Sequence, residues 1–173
     1  MKIRALLEEK KPSILRQWFD SIISTYPSDT ANFLKGQKNT YSGSIVGQTI
    51  YEGIEGIFDD LVSETAADKL NSCLDKIIRV RAIQEFEPSR AISFIFLLKQ
   101  IIRSELIHDI REGGFFEELM EIESRLDGYA NMSFDIYMKC REKLYDLKAN
   151  EMRNWTYRVV KKSKMYREIE AEE

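Results

Sequence analysis

Histidine, cysteine, proline and glycine are all scarce in this chain, and each scarcity removes a class of function. The 173 residues hold one histidine, His108, and two cysteines, Cys73 and Cys140. A zinc site draws its three or four ligands mainly from these residue types, and the cysteines lack the CxxC spacing of a metal or thioredoxin-type motif. No metal site is therefore expected, and both thiols read as buried and reduced. No apolar run approaches the roughly 20 residues of a membrane helix, and the start, MKIRALLEEKKPS, lacks the apolar stretch of a signal peptide. No membrane span and a cytoplasmic location are expected. Charge is nearly balanced, with Lys+Arg 26 against Asp+Glu 29 and a net charge of -3. A general nucleic-acid surface needs a concentrated basic face, so no nucleic-acid partner is expected. P-loop, dinucleotide and G-x-S-x-G fingerprints are absent as well. With no nucleophile, base and orienting group to assemble, the chain does not read as an enzyme.

What the sequence does have is helical periodicity in a chain with only 3 prolines and 8 glycines to interrupt it. Ile14, Leu15, Trp18, Phe19, Ile22, Ile23 and Tyr26 recur at three- and four-residue intervals, which predicts a helix over 3–26, or a helical pair bent at Pro12. Pro12 would suit a first turn, where no amide donor is needed. A short helix is expected at Asp29–Lys35, then a loop, GQKNTYSGS. The next helix, about 46–62, buries Ile50, Ile54, Ile57, Phe58 and Leu61, and its Thr49, Gly53 and Gly56 share one face. Glycine weakens a helix, so that face implies close approach of another backbone or of a small ligand. Thr65 and Asp68 match a capping box ahead of a further helix carrying Leu70, Leu74, Ile77, Ile78 and Ile83. Pro88 stops that helix and starts another. AISFIFLLKQIIRSELI, residues 91–107, is apolar on most of its circumference and predicts a helix enclosed by its neighbours. After Gly113 and Gly114 a last helical segment runs from Phe115 to about Arg167. At about 1.5 Å per residue it would outreach a small domain. The expected fold is all-α: one helical bundle with a long C-terminal helix.

Few side-chain groupings rise above this framework. His108 is the only residue able to ligate a haem in a globin-like reading, against an ordinary position near a helix end beside Asp109 and Arg111. The carboxylates mostly follow the polar sides of amphipathic helices, and one Glu-x-x-His pair, Glu105 with His108, is too little for a di-iron bundle. No cofactor is expected. Near the C-terminus, Trp155, Arg158, Val159 and Lys162 fall in a basic-aromatic stretch that suits an anionic membrane, nucleic acid or an acidic partner. The terminal acids EIEAEE weaken its field, and its sparse apolar side marks these residues instead as candidate contacts to a second subunit or a signalling partner.

RVRAIQEFEPSRAISFIFLLKQ, residues 79–100, is the densest polar cluster set against an oily run. Arg79 and Arg81 fall on different helix faces, so they do not form one clamp. Arg81 and Glu85 have the spacing to pair, and Gln84 and Ser89 to meet across the turn. Two readings stay open. Arg79, Arg81, Gln84, Glu85 and Ser89 are either a polar network fixing a helical hairpin or the rim of a small-molecule pocket beneath the helix of Phe94 and Phe96.

Four stretches together carry a family likeness: LLEEKKPSILRQWFDSIISTYP at 6–27, VGQTIYEGIEGIFDDL at 46–61, IRVRAIQEFEPSRAISFIFLLK at 78–99, and FDIYMKCREKLYDLKANEMRNWTYRV at 134–159. The chain resembles the RsbT co-antagonist (RsbRD-type) N-terminal domain family of stressosome-related bacterial signalling proteins. The resemblance implies an all-helical input module with a globin-like arrangement and no haem. It supplies no catalytic residues and no defined ligand. Such modules often precede a STAS domain; these 173 residues include none, so control of a fused output is not carried over. The expectation is a non-enzymatic sensor or regulatory domain at 1–150 with a helical extension at 151–173. It would form a homodimer and act through a small ligand or a protein partner. The alternatives are a haem-binding globin-like sensor using His108 and a ligand-free adaptor working through its C-terminal helix.

Overall fold

A computed structural model of the chain describes residues 2–35, 44–63 and 67–163, with the side chains of 2, 67 and 68 left aside. Six α-helices and no strand occur among the described residues: α1 Lys2–Ile23, α2 Ser28–Lys35, α3 Ile45–Ser63, α4 Ala67–Ile83, α5 Pro88–Gly113 and α6 Phe116–Lys162. The all-α reading holds. Of its capping box, Thr65 lies outside the described residues and Asp68 is described in its backbone alone.

The chain divides into two compact units, Met1–Tyr137 and Met138–Glu173. In the first, α3 packs on α4 and α1, α1 also packs on α5 and α2, and α4 meets α5. The apolar stripes read from periodicity are the ones enclosed: Trp18, Phe19, Ile22 and Ile23 on α1, Ile54, Ile57 and Phe58 on α3, Leu74, Ile77 and Ile78 on α4, and Phe94, Ile95 and Leu98 on α5. At about 25 cal/mol per Å² of apolar surface removed from water, this burial is the main favourable contribution to folding.

Three local expectations differ from the structure. Pro12 lies inside α1, not in a first turn, and the helix continues through it. Packing of the flanking Ile14, Leu15 and Leu7 outweighs the amide bond that proline removes. Ile83 is largely exposed, because α4 ends there. The run 91–107 is enclosed along a face rather than all round: Ala91, Phe94, Ile95, Leu98, Ile101, Ile102 and Leu106 are buried, while Phe96 stays partly in solvent.

The glycine face of α3 serves close helix packing. A Cβ on Gly53 would lie 2.8 Å from Ile77 Cγ1, and one on Gly56 would collide with the Cys73 sulfur. Here the absence of side chains on α3 lets α4 approach. Across the unit, Asp60 on α3 is buried against Tyr129 of α6, with the part-exposed Arg125 beside them. The Tyr129 hydroxyl donates to Asp60 Oδ2 at 2.5 Å, and Arg125 donates to the main-chain oxygens of Asp60 and Leu61.

The second unit is helical through Lys162 among its described residues. Met138, Tyr145, Met152 and Val159 fall seven residues apart and are all exposed, as are Trp155, Tyr157 and Val160. A seven-residue spacing keeps side chains on nearly one line of a helix. No helix of the described residues is long and apolar enough to cross a membrane.

Candidate functional site

The site forms around the turn between α4 and α5. The last residues of α4 close with two bonds, Phe86 N–H to the Arg81 carbonyl at 3.2 Å and Glu85 N–H to the Ala82 carbonyl at 3.2 Å. This is the Schellman pairing, whose left-handed position usually holds glycine. Here Glu85 occupies it with φ 59°, the only non-glycine residue with positive φ among the described residues. A side chain in that conformation costs about 1–2 kcal/mol. Pro88 then opens α5, its fixed φ and missing amide suiting the first turn, while Glu87 before it makes no side-chain cap.

Arg81 is the structural centre of the turn. It is 0% exposed, the largest buried side chain after Trp18. Its Nη1 donates to the Arg90 carbonyl at 2.7 Å and its Nη2 to the Thr25 hydroxyl at 3.2 Å, so one guanidinium ties α4 to the start of α5 and to the residues after α1. Three rings enclose it, with its Cζ 5.0 Å from the centroid of Phe86, 5.6 Å from Phe94 and 5.9 Å from Tyr26. Aromatic faces attract a guanidinium, and more strongly when water is excluded. Its Nε finds no acceptor. Burial lowers the guanidinium pKa, partly offset by the Tyr26 hydroxyl beside it. The same burial raises the Tyr26 pKa. That hydroxyl makes no well-formed hydrogen bond. Arginine nonetheless stays charged at any ordinary pH.

Over this buried cation lies an open cleft of about 670 Å³, lined by Ser24, Thr25, Tyr26, Pro27 and the turn residues Gln84 to Glu87 with Arg90. Trp18 stacks on Phe94 at 6.1 Å and donates its indole N–H to the Phe94 carbonyl at 2.7 Å, fixing the ring that backs Arg81. From α6, the Tyr137 hydroxyl donates to the Phe86 carbonyl at 2.5 Å. The turn is thus held from α1, α5 and α6 at once.

The five residues marked from sequence separate here. Gln84 and Glu85 line the cleft, and Arg81 lies behind its wall. Arg81 does not pair with Glu85, since the left-handed turn takes Glu85 out of helical register and the guanidinium is spent on carbonyls and Thr25. Arg79 is exposed and pairs with Asp75 within α4. Ser89 is exposed in the first turn of α5, outside the cleft lining, and is not bonded to Gln84. Sequence reading missed Thr25 and Tyr26, 56 and 55 positions from Arg81, and the site role of Phe86 and Arg90; the Tyr26–Pro27 helix end was the available signal. His108 is exposed on α5, so its ring is not set in the core where a globin-like reading would need a haem ligand. Among the described residues no cluster of three or more His, Cys, Asp or Glu could hold a metal. Trp155, Arg158, Val159 and Lys162 are exposed in the second unit.

No curated protein and no solved structure matches the chain significantly. Residues 12–152, which include the cleft, match the family described as RsbT co-antagonist protein rsbRD N-terminal domain. That match spans most of the chain, and it accords with the helical bundle and with the four stretches of likeness. The protein therefore belongs to the RsbT co-antagonist rsbRD N-terminal domain family, a family of stressosome-related signalling domains.

Proposed function

We propose that this chain is a non-enzymatic, cytoplasmic sensor or regulatory module whose input is a small molecule or partner segment in the α1/α4–α5 cleft. One observation carries the reading. A single turn forms the cleft wall, begins α5 and anchors Tyr137 of α6. Occupancy that moves Phe86 would act on α5 and α6 together, and a ligand shifts such an equilibrium only by its differential affinity for the two positions. Glu85 stores backbone strain at this wall, as residues of switching sites often do. Native mass spectrometry of the full chain, followed by a ligand screen, tests the reading. Supporting outcomes are a co-purified compound, or a hit weakened by Gln84→Ala in a protein of unchanged stability. If no compound perturbs the protein, and Arg81 or Gln84 substitutions only destabilise it, the turn is a structural network.

A second reading rests on the exposed row Met138, Tyr145, Met152 and Val159 with Trp155 beside it. The helix in this unit, with Trp155, Arg158, Val159 and Lys162, would form the contact of a homodimer or of a signalling partner. A module of this kind would be an adaptor needing no ligand. Partner binding retained by an isolated 140–173 peptide supports the adaptor, and binding that requires the whole chain counts against it.

A further inference from the structure

Among the described residues, the buried charge at the cleft meets no opposite charge. Every hydrogen-bond acceptor of Arg81 is neutral: the Arg90 and Ala91 carbonyls and the Thr25 hydroxyl. The neighbouring charged group is a second cation, Arg90, which depresses Arg81 further. Arg90 lies exposed on the cleft lining, 5.8 Å over the Phe86 ring, with one long bond to the Thr25 carbonyl at 3.4 Å. Two buried polar atoms here lack a well-formed hydrogen bond, the Arg81 Nε and the hydroxyl of Tyr26, a cleft-lining residue only 7% exposed whose hydroxyl lies against the Arg81 guanidinium. Buried polar groups are normally satisfied, and an orphaned one calls for an explanation such as an absent ion.

We infer that the cleft takes a small oxyanion, a carboxylate or a phosphate, gripped at the rim by Arg90 and favoured from beneath by the enclosed Arg81. The inference rests on the ligand-cleft reading above and adds the charge of the ligand. Glu85 and Glu87 also line the cleft and oppose an anion, but both are exposed. Water and salt screen exposed charges beyond about 8 Å at physiological ionic strength, while a buried charge is screened far less. The enclosed Arg81 therefore acts on the cleft with less screening than either glutamate does. A guanidinium offers paired N–H donors that match the two oxygens of a carboxylate or phosphate, and Arg90 has its donors nearly free for this.

The test uses the full chain with Trp155→Phe, leaving Trp18 as reporter through its stack on Phe94, whose ring lies 5.6 Å from Arg81. Sodium phosphate and sodium succinate are titrated against sodium chloride of equal ionic strength, following Trp18 emission and thermal midpoint. The expected result is a saturable change with phosphate, succinate or both, and none with chloride. Arg90→Ala should weaken it about tenfold or more, Arg90→Lys should keep part of it, and Arg111→Ala at the far end of α5 should leave it unchanged. Phosphate and succinate behaving like chloride, or a response indifferent to Arg90→Ala, overturns the inference. A neutral or cationic compound that binds the cleft regardless of Arg90→Ala sinks the anion alone and leaves the ligand cleft standing. Failure of compounds of every charge removes both.

Discussion

Glu85 shows a residue held against its own preference. Its left-handed backbone is imposed by the two bonds that close α4 and by the need to bring Phe86 back over Arg81. Replacing it by glycine should raise stability by about 1 kcal/mol, measured by chemical denaturation. An unchanged midpoint would mean that the contacts of the Glu85 side chain offset its strain. Tyr129 makes a second residue-scale case. Burial and the adjacent Asp60 carboxylate push its pKa well above the ordinary 10.0, and burial also raises the Cys73 pKa above 9.0. Both groups fold in the neutral form. Their contribution is complete below the unfolded values and is lost as pH rises from about 9 to beyond 10. The thermal midpoint should therefore fall on alkaline titration. Tyr129→Phe should flatten that slope while costing about 1.5–3 kcal/mol at neutral pH, the range for a hydrogen bond to a charged group. An alkaline slope identical in the variant would show that other groups govern it.

Elements were more legible than the contacts between their ends. Periodicity locates the stripes of α1, α3, α4 and α5 because burial of one face is a local pattern, and Pro88 marks the α5 start because its ring has few places to sit. The α4 stop carries no glycine to announce it, so helical spacing alone pairs Arg81 with Glu85, a register that the left-handed turn breaks. The cleft draws Ser24, Thr25 and Tyr26 from beyond α1 against residues near 85, and no periodicity encodes that distance. The glycine face of α3 was readable in kind but not in partner, since Ile77 and Cys73 lie on another helix. Gly53→Ala should destabilise by about 1–3 kcal/mol through overpacking against Ile77, despite alanine's better helix propensity. A stability gain on thermal unfolding would show that α4 yields at little cost.

For the molecule as a whole, the two units differ in what they bury. In the first, the helices hide their apolar stripes from one another; in the second, Met152, Trp155 and Val159 lie open to solvent. If these residues seat a second copy, Val159→Asp should shift light-scattering mass towards the monomer at micromolar concentration without unfolding the first unit. A mass that stays at one subunit in the unsubstituted protein excludes the homodimer. Of this function-level picture the sequence showed the family and the exposed basic-aromatic end. The charge balance of the cleft depends on which arginine is enclosed, and neighbouring sequence does not reveal that.

The three-way tie of Arg81 also bears on the order in which the chain comes together. Helices α4 and α5 can meet early, being adjacent in sequence, but the guanidinium finds Thr25 only once the first helix has docked, 56 positions away. Because it needs three elements in place, this contact is expected to form after the rate-limiting barrier. Stopped-flow measurements on Arg81→Ala should accordingly find unfolding about tenfold faster or more, with refolding nearly unaltered. The side chain would then act as a latch: it sets how long the native state lasts and leaves the speed of assembly alone.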